Sequence, residues 1–342
     1  MNNIKVILTC KLLYAKALKK YSSEYIKDFY FMIDDHYSKE FVEIEEELKG
    51  FCKGFFYSSD VYKFLSDDLN IKGEIPSEII KYYPPSIKTV MPLYFRSKGY
   101  DKFIYLDDDI IITANIDHWF DLSSAKYKET TSHIRADWEY QSLVKWLDIS
   151  REEFHNNCLI NSGHFMMPLN FDYDKYLTYL DQYFNNEIKV SRLKHSFENG
   201  FHSSDWMYEQ RFLGFIFYKL FDNTTLLNKD CCLAYMRNMK ISYILKRKII
   251  HFPLSKKTKA LVYARLDDVM NKRVETLGEV ISELFEIDGF TFTNKLDAGL
   301  YLGGETNKTR EEIMQILNTP EKMADFYLSK RKKHSKLKSF VK

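Results

Sequence analysis

Apolar and polar positions alternate with two different periods along this chain, and the period switches predict its elements. Residues 4–9 form a short β-rich run, read as a first buried strand. Residues 12–28 carry Leu13, Ala17 and Ile26 at helical spacing among many lysines, which predicts a helix. Residues 29–33 read as a second strand stopped by Asp34-Asp35, and residues 40–51 as a helix with an acidic outer face. Residues 61–69 fit either type. Residues 77–83 suit a short helix that stops at Pro84-Pro85, because the residue before a proline avoids helical geometry. Residues 86–97 look helical, with Pro92 either kinking that helix or starting a new one. A strand follows at 102–112, a turn and short helix at 116–122, a second apolar strand at 158–169 and a helix at 173–185. Ser203 or Ser204 is a candidate cap for another helix, and residues 212–221 are almost wholly apolar, hence core. Residues 225–228 and 248–253 read as short strands. From 261 the pattern turns helical, over 264–285, from Thr309 to Pro320, and over 323–328. Strands and helices taking turns predict an α/β fold with a mainly parallel sheet flanked by helices.

The strand at 102–112 departs most from an ordinary pattern. Its apolar run enters Asp107-Asp108-Asp109 and then resumes as three isoleucines. Carboxylates are costly to desolvate without partners, so the three acids belong at a strand end where the sheet meets solvent. Side chains alternate along a strand, so Asp107 and Asp109 share a face and Asp108 takes the other. Two neighbouring carboxylates repel, which raises one pKa or recruits a cation. Hard oxygen ligands suit Mg²⁺ or Mn²⁺. A solvated acidic turn after a strand is the alternative. In such sheets ligands bind beyond the carboxyl ends of the strands. Asn161-Ser162-Gly163 interrupts the apolar strand at 158–169, which marks either a bulge or close approach by a ligand. Asp205 near the start of a helix complements its positive end. His251 ends a strand and is followed by Lys256, Lys257 and Lys259, a cationic cluster suited to a diphosphate.

Composition narrows the classes. With 342 residues, of which 45% are hydrophobic, the chain can build one large or two small domains. A formal net charge of +2 argues against a nucleic-acid polycation. Five cysteines without a C-x-x-C pair indicate neither a zinc site nor a disulfide framework, and fit a reduced cytoplasm. Lys5 and Lys11 interrupt any apolar core of a signal peptide, and no 18-residue apolar run predicts a spanning helix. Residues 329–342 hold seven Lys or Arg and no acid. That tail suits either a solvated terminus or peripheral contact with an anionic membrane surface.

Four features occur in a fixed order: Tyr105-Leu106-Asp107-Asp108-Asp109, Asn161-Ser162-Gly163, Ser204-Asp205, and His251 with Lys257. In that order the chain resembles glycosyltransferase family 8, the retaining sugar-nucleotide transferases that include glycogenin and bacterial lipopolysaccharide galactosyl- and glucosyltransferases. The resemblance covers residues 1–260 and implies a GT-A-type catalytic domain there, leaving 261–328 as a helical extension and 329–342 as a basic tail. It implies that Asp107 and Asp109 bind Mn²⁺ (or Mg²⁺) with His251 as the third protein ligand. It sets Asp108 beside the sugar or ribose, Asn161 near the donor sugar and Asp205 near the reacting centre. Lys257 would touch the diphosphate, Thr9 and Tyr14 would hold the uracil, and Lys88 would be the basic residue ahead of the acids. The implied activity is transfer of a hexose, glucose or galactose, from a UDP-sugar to a glycan or lipid-linked saccharide acceptor. Leu254, Thr258-Lys259, Trp206 and Lys11 depart from the family's pattern, at the uracil and acceptor contacts more than at the metal. The rival readings are another metal-dependent enzyme acting on phosphates, such as a nucleotidyltransferase or phosphohydrolase, and a non-catalytic carbohydrate-binding relative.

Overall fold

A computed structural model describes residues 2–36, 38–82, 84–129, 149–185, 208–234, 239–253, 259 and 262–282. The chain divides into two compact units, Met1–Cys231 and Cys232–Lys342. The predicted helices from Thr309 to 328 and the basic tail lie outside the described residues, as do Asp205 and Lys257. Among the described residues no helix is long and apolar enough to cross a membrane.

The first unit is α/β, with the mainly parallel central sheet that the alternating pattern predicts. Its strands are β1 (Asn3–Thr9), β2 (Tyr30–Ile33), β3 (Gly54–Tyr57), β4 (Lys102–Asp107), β6 (Ser124–Lys128), β7 (Ile160–Pro168) and β8 (Thr224–Leu226). They lie in the order β3-β2-β1-β4-β7-β6-β8. Strands β1 to β4 are mutually parallel, β7 runs antiparallel to both β4 and β6, and β8 is parallel to β6. One reversed strand thus interrupts an otherwise parallel sheet. The short strand β5 (Ile110–Ile112) follows β4 and packs against α1 (Leu12–Ser22), where the Ile112 N–H donates to Ser22 Oγ at 2.9 Å.

The remaining helices of this unit are α2 (Phe41–Leu48), α3 (Ser58–Lys63), α4 (Glu74–Tyr82), α5 (Met91–Ser97), α6 (Arg151–Asn157), α7 (Tyr173–Phe184) and α8 (Tyr208–Leu220). Pro92 sits in the first turn of α5, where its missing N–H costs no hydrogen bond, so it starts a helix rather than kinking one. The ambiguous stretch 61–69 resolves into the end of α3 followed by a π-helical turn, Phe64–Asp68. Strands β3 and β6 escape the sequence pattern because both are short and neither alternates cleanly. Gly54–Tyr57 is half-buried along its whole length. The core gathers aromatic side chains between sheet and helices, with Phe103, Tyr105 and Phe165 on facing strands and Phe212, Phe215 and Phe217 on α8.

In the second unit, β9 (Cys231–Leu233, whose first residue closes the first unit) and β10 (Ile249–His251) lie near one another in the chain's backbone bonding: the Ala234 N–H donates to the His251 carbonyl at 2.7 Å. The helices described here are α9 (Ile241–Ile244), α10 (Leu266–Met270) and α11 (Leu277–Ser282). The single helical run predicted from 264 is therefore broken between α10 and α11, where Lys272 takes the left-handed backbone region at φ +55°.

Candidate functional site

Strand β4 delivers the acids to the carboxyl end of the sheet. Its register against β1 pairs Leu8 with Asp107, so the acids emerge where β1 also ends. The strand stops at Asp107 and β5 begins at Ile110, which leaves Asp108 and Asp109 in a bend. Asp108 turns toward β1, and its Oδ2 accepts the Cys10 N–H at 2.8 Å and the Thr9 hydroxyl at 3.4 Å. A backbone N–H that has outrun the ladder needs an acceptor, and this carboxylate supplies it. Thr9 is fully buried, and Tyr14 lies half-buried in the first turn of α1.

Asp107 takes the other direction, as alternation predicts. Its Oδ1 accepts the hydroxyl of Tyr105 and the ammonium of Lys88, the latter at 2.8 Å. Lys88 is only 6% exposed, and its ammonium also lies 5.3 Å from the Tyr105 ring centroid and 3.8 Å from Glu209 Oε1. Burial alone would pull its pKa down, but the carboxylates of Asp107 and Glu209 outweigh that and hold it above the ordinary lysine value. Lys88 is therefore charged at neutral pH. Burial, and then the Asp107 charge, push the Tyr105 phenol well above its ordinary value, so it remains a donor.

Strand β7 carries Asn161-Ser162-Gly163, and the structure places a register shift here. Lys126 pairs with Phe165, but the next residue, Tyr127, pairs with Asn161. A β-bulge accounts for the break in the apolar pattern. Asn161 Oδ1 accepts the Gly163 N–H at 2.9 Å inside it. The Ser162 hydroxyl donates to Glu209 Oε1 at 2.9 Å, and its N–H donates to Gln210 Oε1 at 3.3 Å. Arg211 is fully buried and donates to the Ile160 carbonyl and to Glu129, both at 3.0 Å. The first turn of α8 thus braces the bulge with three consecutive side chains.

Glu209 and Gln210 were not singled out in the sequence. Glu209 is followed by glutamine, where Asp205 is followed by Trp206. An acid in a first helical turn has an ordinary explanation in the helix dipole, which hides Glu209 until its burial is seen. Asp107 and Asp109 offer two carboxylates in the first unit, and His251 offers an imidazole at the end of β10 in the second. Asp109 and His251 are buried. Two carboxylates and an imidazole are a donor set that Mn²⁺ accepts readily and Mg²⁺ less so, so the residues present fit a divalent cation.

No protein-family model matches the chain, and no curated protein matches it in sequence. Among solved structures, mouse xyloside xylosyltransferase 1 is similar at 15% identity and a TM-score of 0.44, over 74% of this chain and 98% of that one. The bifunctional glycosyltransferase WbbM is similar at 13% identity and a TM-score of 0.44, over 82% of this chain. The alignment spans about half of WbbM, 51% of its length. The galactosyltransferase LgtC, solved with donor and acceptor sugar analogues, is similar at 9% identity and a TM-score of 0.39, over 79% of this chain and 95% of that one.

Proposed function

We propose that the chain is a metal-dependent retaining glycosyltransferase of the family 8, GT-A type, moving glucose or galactose from a UDP-sugar to a glycan or lipid-linked saccharide acceptor. The observation that carries this reading is the pair of carboxylates, Asp107 and Asp109, that β4 delivers to the carboxyl end of the sheet, where β1 also ends. With His251 these two would hold Mn²⁺ (or Mg²⁺), which supplies stabilisation for the negative charge gathering on a nucleoside diphosphate leaving group.

The chain's own side chains do the rest in this reading. Thr9 and Tyr14 border the nucleotide base, and Asp108, tied to the end of β1, faces the ribose or sugar. Lys257 meets the diphosphate. Asn161 aligns the donor sugar, whose anomeric carbon becomes oxocarbenium-like as the glycosidic bond breaks. Asp205 is the carboxylate that the family resemblance sets beside that carbon. Glu209 is a second candidate for the same task, because it is only 2% exposed and bonded to Ser162, next to Asn161. Lys88 acts within this set by holding Asp107 and Glu209. The tail at 329–342 is read as a peripheral contact with an anionic inner membrane face, on a cytoplasmic protein. Deleting it should release the protein from anionic vesicles, and continued sedimentation with them would remove that part of the reading.

The central test is UDP release from a panel of UDP-hexoses with Mn²⁺, followed by mass spectrometry. Asp107→Ala and Asp109→Ala should each abolish turnover, and Glu209→Gln should lower kcat at least as far as Asp205→Asn if Glu209 is the reacting acid. Full turnover by Asp109→Ala, or in excess chelator, would overturn the proposal.

A further inference from the structure

Among the described residues, the polar contacts of Asp107 all fall on one of its two oxygens. The Tyr105 hydroxyl and the Lys88 ammonium both meet Oδ1. Both donors are anchored by groups other than Asp107. Tyr105 is fully buried, its ring stacks on Phe165 at 5.0 Å with an interplanar angle of 19°, and the β4–β7 register sets these two residues opposite each other. Lys88 is held over that same ring and by Glu209, which is fixed in turn by the Ser162 hydroxyl.

Strand geometry explains why a tyrosine can do this. Residues two apart on a strand share a face, so the Tyr105 hydroxyl reaches the Asp107 carboxylate along one side of β4. An unrestrained aspartate rotates through a broad, roughly two-fold χ2 profile and offers either oxygen. Here any rotation short of the equivalent half-turn would pull the gripped oxygen away from a buried ammonium and a buried phenol together.

We propose that Tyr105 is a positioning residue for the cation: with Lys88 it grips Oδ1, sets the plane of the carboxylate, and presents Oδ2 as the ligand atom. The inference rests on the metal reading of Asp107, Asp109 and His251. It assigns to the Tyr-x-Asp spacing at 105–107 a task distinct from ligation.

The test is a Mn²⁺ titration of the full chain, read from the electron paramagnetic resonance signal of the free ion. Tyr105→Phe keeps the ring, its stacking on Phe165 and the strand register, and removes only the hydroxyl. Tyr218→Phe is the control, because it also removes a tyrosine hydrogen bond, to Glu153 at 2.6 Å, on the α8 surface. Circular dichroism verifies that each variant is folded. Groups that orient a ligand typically change metal affinity by about 10- to 100-fold, so Tyr105→Phe should bind Mn²⁺ roughly 10-fold more weakly than the wild type. Tyr218→Phe should match the wild type. A folded Tyr105→Phe protein with wild-type affinity overturns this inference and leaves the proposed function standing. A wild-type chain that binds no Mn²⁺ overturns the metal reading, and this inference with it.

Discussion

At the scale of single residues, the site is organised by a buried cation that the sequence disguises. Lys88 falls in residues 86–97, whose spacing reads as helical, and only the family resemblance singles it out. In the structure it bridges Asp107 and Glu209 from inside the first unit. Removing one partner of a buried ion pair strands the other charge, at a cost of roughly 3–5 kcal/mol. Lys88→Met should therefore destabilise the protein strongly, toward the upper part of that range, because it takes the shared ammonium from both Glu209 and Asp107. Urea denaturation checks this, and a double variant, Lys88→Met with Glu209→Gln, should recover part of the loss. A single variant as stable as the wild type would show that the network contributes nothing. The three aspartates were legible because consecutive charges inside an apolar strand have few explanations. Lys88 was legible only through the family resemblance, and Glu209 not at all, since its partners Ser162 and Lys88 lie far away in sequence.

Elements bring these residues together, and helix α8 is the one with least freedom. It carries Glu209, Gln210 and Arg211 in its first turn and Gly214 one turn later. A Cβ at Gly214 would meet the Cys158 carbonyl oxygen at 2.0 Å and its carbon at 2.8 Å. That contact is with backbone, which cannot step aside as a flexible side chain would. Alanine would gain about 1 kcal/mol of helix propensity over glycine, and overpacking a fitted core costs typically 1–3 kcal/mol or more. At 2.0 Å the clash wins, so Gly214→Ala should lower the thermal midpoint and displace Glu209 from Ser162, reducing activity along with stability. A gain in stability would refute the close packing. The helix α6 beside it starts at a capping box, in which Glu153 N–H donates to Ser150 Oγ and Ser150 N–H donates to Glu153 Oε2. The Ser-x-x-Glu signature at 150–153 is visible in the sequence, yet α6 was not among the predicted helices, because seven residues give too little periodicity to register. Hydrogen bonds from Ser150, then from Tyr218, hold the Glu153 carboxyl down at about 2, below its ordinary 4.5. A depressed carboxylate contributes stability that is present above its unfolded value and lost as pH falls through its folded one. Glu153→Gln should thus be less stable than the wild type at neutral pH and lose less between pH 4.5 and 2, as acid unfolding followed by circular dichroism would report. Ser150→Ala should cost about 1 kcal/mol at neutral pH.

For the whole molecule, the order of strands was less legible than their existence. Alternating strands and helices imply parallel pairing through crossovers, and β1 to β4 obey this. Nothing in the run at 158–169 reveals that β7 is reversed, because a strand buried on both faces looks equally apolar in either direction. The reversal matters, since it presents the Asn161-Ser162-Gly163 bulge to the first turn of α8 and thereby to Lys88 and Asp107. The proposed ligands Asp107, Asp109 and His251 likewise come from segments far apart in the chain, so an ion that binds only the folded arrangement must add to its stability. The gain follows RT ln(1 + [L]/Kd), about 2.7 kcal/mol at a hundredfold excess of ion over Kd. Mn²⁺ should therefore raise the thermal midpoint of the wild-type chain in a concentration-dependent way, and chelator should reverse the rise. His251→Ala should lose that response as completely as Asp109→Ala does, although the two positions share no local structure. Tyr218→Phe should keep it, which separates loss of the ion from loss of an unrelated hydrogen bond. If His251→Ala retained the full Mn²⁺ shift while Asp109→Ala lost it, the imidazole would not be a ligand, and the cation would belong to the end of β4 alone.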